Sequence, residues 1–535
     1  MIFDEALRSG AVAPPREPVY GAHAVAASAH PLVSICALDV MRAGGNAVDA
    51  SLAAAAMLMV VEPRNGHPGG DAFLLVDSGL GGQPIAINGS GAAPAAATLE
   101  RYRALGEIPS EGLLSSAVPG VVAAWRDAHA RFGSRPLAEL LDPAIRAARE
   151  GIPVTKRLHT LLANDAAVYR RYPSSARVFL PVPPVGATFA QPLLARTLER
   201  LVRQGLDDFY TGELARELVE FSRAAGGLFE TSDFSEHRTE IRPPVSIVYR
   251  GYEIVEQPPV SQGIVVLLTL KILERFELAR HDHDSPERIH LLAEALALAY
   301  RERLGALGDP RFVEFDSGAF LDDARADDLA AQIDPSRSLG LLVPAQVEPD
   351  TTFAAFADAR STVTYIHSLY SGSGVVMGET GVLMNSRLRG FSLDPLSPNV
   401  LGPRKRPVHT LNAWLVRKAG ETLFAGGTPG AQWQVQTNVQ ILTNLLDYRM
   451  ELADAQSVPR FTIGNQLADP DRTLKVESRY GARTFEGLAK RGHQVDAIGP
   501  WDAGAAVQLV ARDPASGMLR GATEIRRPGC TVLAV

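Results

Sequence analysis

Residues 334–370 read DPSRSLGLLVPAQVEPDTTFAAFADARSTVTYIHSLY, and the reading of the chain turns on the change of character halfway through them. From Asp334 to Asp350 there is no periodic apolar face, and Pro335, Gly340, Pro344 and Pro349 punctuate the run. That composition predicts an exposed linker. From Thr352 to Ala357 and from Thr362 to Tyr370, β-formers alternate side to side, which predicts two strands. Thr351 stands at the junction. Taken alone, Thr351 and Thr352 are simply the opening residues of a strand.

Upstream, Ala24 to Val76 predict a short strand, a helix rich in Ala and Leu, the glycine-rich loop Gly66-His67-Pro68-Gly69-Gly70 and a second strand. Helical patterns dominate from Leu99 to Leu342, including Leu137 to Arg149, read as two short helices meeting at Pro143, and the apolar-faced His290 to Leu304. A strand-like Val245 to Val255 interrupts them. Downstream, Asn412 to Val416 and Thr422 to Ala425 form a hairpin joined through Arg417 to Glu421, and Gln434 to Tyr448 is an amphipathic helix. No fixed-period repeat argues for a solenoid.

The chain has 535 residues, 46% hydrophobic and 21% charged, an ordinary soluble globular composition. A formal charge of -7 without a basic stripe argues against nucleic acid as partner. Two cysteines, Cys36 and Cys530, exclude a disulfide-dense scaffold and a thiolate-rich zinc site, whether or not they pair. Met1 to Val19 contain no apolar run, and the most apolar stretch, Leu52 to Val61, is far shorter than the roughly 20 residues of a membrane span. A cytoplasmic protein that does not enter a membrane is expected.

Four blocks of sequence occur in a telling order. They are Ala27-Ser28-Ala29-His30-Pro31 with Gly44-Gly45-Asn46-Ala47-Val48-Asp49-Ala50, Val61-Glu62-Pro63 and Gly69-Gly70; Asp350-Thr351-Thr352; Ser371-Gly372-Ser373-Gly374 with Gly381 and Asn385; and Lys405-Arg406-Pro407 with Thr428-Pro429-Gly430, followed by Pro459-Arg460-Phe461. Together they resemble the γ-glutamyltransferase family of N-terminal nucleophile hydrolases. The resemblance implies an α+β fold, a four-layer αββα sandwich, made as one precursor. It implies a cut into a large chain, residues 1–350, and a small chain, residues 351–535, that share one interwoven domain and assemble as a dimer of such heterodimers. Thr351 would become the new chain start and nucleophile, its freed α-amino group, with a pKa of about 7.7 to 8.0, serving as general base. No metal and no cofactor are implied.

The same resemblance assigns backbone N–H groups of Gly430 and Ala431 to an oxyanion hole, Ala431 standing where the family has a second glycine. It places Ser368 where a family threonine hydrogen-bonds the nucleophile, the other reading being an ordinary strand serine in a core hydroxyl network. Phe353 replaces the histidine common after the threonine pair.

The glutamyl-binding residues do not carry over. Ser90 occupies the place of the arginine that grips an α-carboxylate, Gly390 that of the acidic residue for the α-amino group, and His409-Thr410 that of a serine pair. Each lost charge-assisted contact is worth about 1.5 to 3 kcal/mol, which disfavours glutathione. Arg387 and His409 instead suggest a carboxylate anchor, so a small acidic amide without an α-amino group fits, as in the oxamate amidohydrolase branch. Ser90 and Thr410 remain candidate substrate contacts. A γ-glutamyl enzyme with a rebuilt site, a glutaryl-type acylase and an uncleaved scaffold are the rivals. Arg389 reads as a structural or solvated arginine. His281-Asp282-His283-Asp284 reads as a solvated loop, His67 as part of the fold, and Gly372-Ser373-Gly374 matches neither a dinucleotide fingerprint nor a nucleophile elbow.

Overall fold

The computed structural model describes residues 16–79, 82–343, 350–464 and 471–535, so the linker residues 344–349 lie outside the described part. The two predicted strands form as Asp350–Asp358 (β8) and Thr362–Tyr370 (β9), paired antiparallel with Thr351 opposite Ser368 and Phe353 opposite Ile366. Alternation decides their faces. Phe353, Ala355, Ala357 and Ile366 enter the core between two sheets, while Ala354, Phe356 and Tyr365 pack toward helices.

We number the other strands of the two large sheets Val19–Gly21 (β1), Ala24–Ser28 (β2), Asp71–Asp77 (β3), Ile85–Gly89 (β4), Glu240–Arg242 (β5), Val245–Tyr249 (β6) and Tyr252–Glu256 (β7). After β8 and β9 come Ala413–Lys418 (β10), Glu421–Gly427 (β11), Gln508–Arg512 (β12), Leu519–Thr523 (β13) and Thr531–Ala534 (β14). One seven-stranded sheet has the order β14-β2-β8-β9-β3-β4-β5 and the other β1-β13-β12-β11-β10-β7-β6. Each sheet draws strands from both sides of the Asp350–Thr351 bond.

Helices cover both outer faces, completing an αββα sandwich. On the β8 side lie Pro31–Arg42 (α1), Ala47–Val61 (α2), Val121–Phe132 (α3) and Leu137–Glu150 (α4). Every residue of α2 is buried, and its alanines let it approach β8 and β9 closely. On the other side lie Gly263–Leu273 (α5), Pro286–Ala306 (α6) and Trp433–Leu446 (α7). No helix among the described residues is long and apolar enough to cross a membrane. Cys36 and Cys530 are both free thiols.

Local expectations needed correction at several points. The segment read as one helix before the glycine-rich loop is two, split at Gly44, whose φ of 90° suits glycine, with Asn46 capping α2 in a capping box with Asp49. Pro143 does not divide α4, which runs unbroken with Pro143 inside it. The carbonyl of Glu139, deprived of its helical donor, belongs to an exposed residue, so solvent can reach it. Val245 to Val255 is a hairpin rather than one strand, turning at Arg250 and Gly251, and the β10–β11 turn is just Ala419-Gly420. All four turn residues have positive φ, the primed geometry that matches strand twist.

Candidate active site

Three residues face each other across adjacent strands. Thr351 on β8 pairs with Ser368 on β9, and Ser368 pairs with Asp71 on β3. Directly opposed residues point to the same face, here the one that carries Phe353 and Ile366 into the space between the sheets. With strands about 4.8 Å apart, the row spans roughly 10 Å from Thr351 to Asp71. Thr351 is 3% exposed and its Oγ1 donates to Ser368 Oγ at 3.3 Å, while Ser368 Oγ accepts the Tyr370 N–H at 2.9 Å. Ser368 therefore lies in hydrogen-bond contact with the threonine. In the continuous chain the Thr351 nitrogen is an amide and supplies no base.

At the far end of the row, Arg387 donates from Nε to Asp71 Oδ2 at 2.7 Å, and both residues are fully buried. The two Nη atoms of Arg387 have no hydrogen-bond partner among the described residues, and its guanidinium carbon lies 4.8 Å from the centre of the Tyr370 ring. His409 Nε2 is 3.5 Å from the same Asp71 oxygen, too long for a well-formed hydrogen bond, and its ring lies 4.8 Å from that of Phe73. Burial pushes the Asp71 carboxyl upward, but Arg387 and His409 outweigh it and hold it at about 2. Burial, reinforced by Arg387, lowers His409 to about 4, so it is neutral at pH 7. Ser90 spends its hydroxyl on Asn88 Oδ1 at 2.6 Å, and Thr410 offers its carbonyl to Gln262 Nε2 at 3.0 Å and Asn412 Nδ2 at 2.9 Å.

From the opposing sheet, β11 ends over Phe353: a Cβ on Gly427 would meet that ring at 2.7 Å. The chain then runs directly from that glycine into Thr428-Pro429-Gly430-Ala431. Gly430 has φ 137° and Ala431 φ 49°, both in the region that favours glycine. Neither amide N–H donates to an acceptor among the described residues. Gln262 fixes the loop by donating to the carbonyls of both Ala431, at 3.2 Å, and Thr410. Tyr300 on α6 donates to the Gln432 carbonyl at 2.5 Å. A cavity of ≈ 320 Å³ opens beside Gly430, bounded also by Trp501, Asp502, Arg157, Arg526 and Arg527. Two free, adjacent amides held on a rigid turn can receive a developing oxyanion.

Sequence reasoning missed Asp71, Tyr370 and Gln262. Asp71 follows the quoted Gly69-Gly70, but only the strand register shows that it shares a row with Thr351. In the Asp282 loop, His283 bonds Asn444 Oδ1 at 3.0 Å. His67 is structural as expected, accepting the Leu383 N–H at 2.9 Å. Among the described residues one group has metal-ligand chemistry, His290, Glu294 and His493, with ligand atoms within 4.8 Å of one another. It is already satisfied internally: the two rings meet at 2.8 Å, and Glu294 accepts from Ser338 Oγ at 2.8 Å and Leu339 N at 2.9 Å.

Comparison with known proteins adds a family and relatives. The family model described as gamma-glutamyltranspeptidase matches residues 33–534. The chain is 35% identical to the glutathione hydrolase-like YwrD proenzyme of Bacillus subtilis (strain 168), over 96% of this chain and 99% of that protein. It is 33% identical to the oxamate amidohydrolase proenzyme of Klebsiella pneumoniae, over 95% and 98% respectively. Among solved structures, cephalosporin acylase from Bacillus halodurans superposes with a TM-score of 0.91 at 32% identity, covering 98% of both chains.

Proposed function

Because the chain belongs to the gamma-glutamyltranspeptidase family and is an amide hydrolase of the N-terminal nucleophile class, we propose that it cuts itself before Thr351 and then hydrolyses a small carboxylate-bearing amide, such as oxamate, through a threonyl ester. Two of the relatives named above are proenzymes, in keeping with a cut of this kind. The freed α-amino group takes the proton from Thr351 Oγ1 as that oxygen attacks the amide carbon. The carbonyl oxygen, now negative, is received by the N–H groups of Gly430 and Ala431. As the tetrahedral intermediate collapses, the C–N bond breaks and the proton passes to the leaving nitrogen. Water, deprotonated by the same amine, then displaces Thr351 and releases the acid.

The observation that carries the substrate class is Arg387, whose Nε is tied to Asp71 while both Nη atoms are buried without a partner among the described residues. A buried guanidinium with two free donors on one edge suits a bidentate carboxylate. Ser90 and Gly390 leave a glutamyl amino acid without its two usual partners, so glutathione is disfavoured. A panel of oxamate, glutaramate, glutathione and a γ-glutamyl anilide tests the class. With the best acidic amide, Arg387→Gln should lower kcat/KM about ten- to a hundredfold, equivalent to about 1.5 to 3 kcal/mol, chiefly through KM. Lysine should restore part of it. Self-cleavage, which involves no substrate carboxylate, should persist. An unchanged kcat/KM in Arg387→Gln would remove Arg387 from the binding site.

A further inference from the structure

His290, Glu294 and His493 lie apart from the Thr351 row and join the two sides of the Asp350–Thr351 bond. His290 and Glu294 stand one turn apart on the same face of α6, on the large-chain side, and His493 follows the helix Ala482–Lys490 on the small-chain side. His290 Nδ1 is 2.8 Å from His493 Nε2, and Glu294 Oε1 is 4.0 Å from the first and 3.7 Å from the second. Three atoms with those separations share a centre about 2.1 Å from each, the length of a zinc–nitrogen or zinc–oxygen bond. Two imidazoles and a carboxylate are also a zinc donor set, whereas calcium and magnesium take oxygen ligands.

Each of the three side chains has partners inside the protein, and those partners are of the kind that stay in place around a bound ion. His290 Nε2 donates to the Asp334 carbonyl at 2.8 Å, which fixes its tautomer and leaves a lone pair on Nδ1, the nitrogen on the side of His493 and Glu294. Glu294 accepts from Ser338 Oγ at 2.8 Å through Oε1 and from the Leu339 N–H at 2.9 Å through Oε2, so Oε1 keeps a second lone pair. Only the hydrogen bond between the two rings has to be exchanged for bonds to a metal. His493 Nε2 carries that proton; once it sits on Nδ1 instead, both rings face the centre with a bare nitrogen and both stay neutral.

We infer that His290, Glu294 and His493 form a structural zinc site, with water as fourth ligand, that ties the large chain to the small one. The ion stands away from the reacting bond: Arg303, which reaches Gln432 beside the donor loop at 3.1 Å, lies nine residues beyond Glu294 on α6. Nine residues are about 14 Å of helix. The outer contacts of the site, at Asp334, Ser338 and Leu339, all belong to the segment that leads toward Thr351. Arg491 grips the same segment, accepting the Ser338 N–H at 2.7 Å and donating Nε to the Pro335 carbonyl at 3.0 Å. Zinc thus holds the last part of the large chain against the small one. The bridging role rests on the reading that the chain is cut before Thr351; the binding of zinc does not.

The test takes the purified enzyme, stripped with EDTA and dialysed, and titrates it with zinc chloride by calorimetry, with bound metal counted by elemental analysis. Wild type should bind one zinc per copy of the sequence with a Kd of about 1 µM or tighter. Zinc at about a hundred times Kd should raise Tm by about 2 to 3 °C. In His493→Gln the amide still offers a donor to His290 Nδ1, so in EDTA the variant should melt near the wild-type Tm, while its zinc affinity falls about a hundredfold or more. Glu294→Gln should lose affinity to a similar degree, and Ser338→Ala, which removes only an outer contact, about tenfold. Wild type that takes up no zinc at about 100 µM, or binding undiminished in either His493→Gln or Glu294→Gln, would overturn the inference and leave the three residues as a hydrogen-bonded clamp. A single full-length band on a denaturing gel would remove the bridging role alone, and the titration would still judge the site.

Discussion

Thr351 is oriented before any reaction takes place: its hydroxyl lies on Ser368, and the strand to which it belongs is pinned on one side by β9 and on the other by β2. That rigidity serves both chemical roles, because the same oxygen must attack its own preceding carbonyl first and a substrate later. Thr351→Ala should therefore give a single full-length band on a denaturing gel, where wild type gives two, the smaller starting at Thr351 by N-terminal sequencing. Its amidase activity should fall by on the order of a thousandfold or more. The fold should be retained, since one buried methyl and the rest of the strand pairing remain. Cleavage that continued in the alanine variant would move the nucleophile elsewhere. Asp71 shows the same economy at the other end of the row: one carboxylate holds the Arg387 guanidinium by Nε, leaves both Nη atoms free and still accepts the Gly91 N–H at 3.0 Å.

At the scale of elements, the donor loop between β11 and α7 stores backbone strain where function needs two bare amides. Ala431 at φ 49° takes a conformation that costs an L-residue about 1 kcal/mol, and Gly430 at φ 137° one that is dearer still for any residue with a Cβ. Ala431→Gly should thus raise stability by about 0.5 to 1 kcal/mol, seen as a higher Tm, and keep kcat within a few-fold because the N–H is retained. Gly430→Ala should lose about 1 to 3 kcal/mol or shift the loop, with kcat falling at least tenfold. A Gly430→Ala enzyme as active as wild type would take these amides out of the oxyanion hole. This loop was readable in the sequence as a motif, as were the strand that opens at Thr351 and the position of Arg387, because each depends on neighbours in the chain. Asp71, Tyr370 and Gln262 were not, because their roles arise from cross-strand register and inter-sheet distance. Pro143 was misread for a related reason: a proline signals a break, yet an exposed carbonyl one turn back lets the helix continue.

The whole molecule interleaves its two prospective chains, with β8 and β9 in one sheet and β10 to β13 in the other lying between strands from the first half and β14 adding an edge, so its stability is that of one shared core. Histidines are set into that core and around it. Burial chiefly lowers His67, His237 and His283 to about 3, and His367, His409 and His493 to about 4. A group whose folded pKa lies below its unfolded value of about 6.5 favours folding above 6.5, where both states are neutral, and loses that contribution as pH falls toward the folded value. In that window the unfolded chain binds the extra proton, and each histidine removes up to about 1.4 kcal/mol per pH unit. Buried carboxylates with arginine partners act lower, while Glu256, raised by burial, opposes the histidines with the slope of one group against six. Asp71, Glu62 and Glu524 are held at about 2 against burial by their arginines, so their contribution is complete above about 4 and lost only below it. Thermal unfolding should therefore show a Tm that is nearly level above pH 7, falls from about pH 6.5 downward, and has dropped steeply by pH 5, before carboxylate protonation contributes. A Tm that stays level down to pH 4.5 would mean that these imidazoles gain partners or water on protonation, and would contradict a neutral His409 beside the Asp71–Arg387 pair.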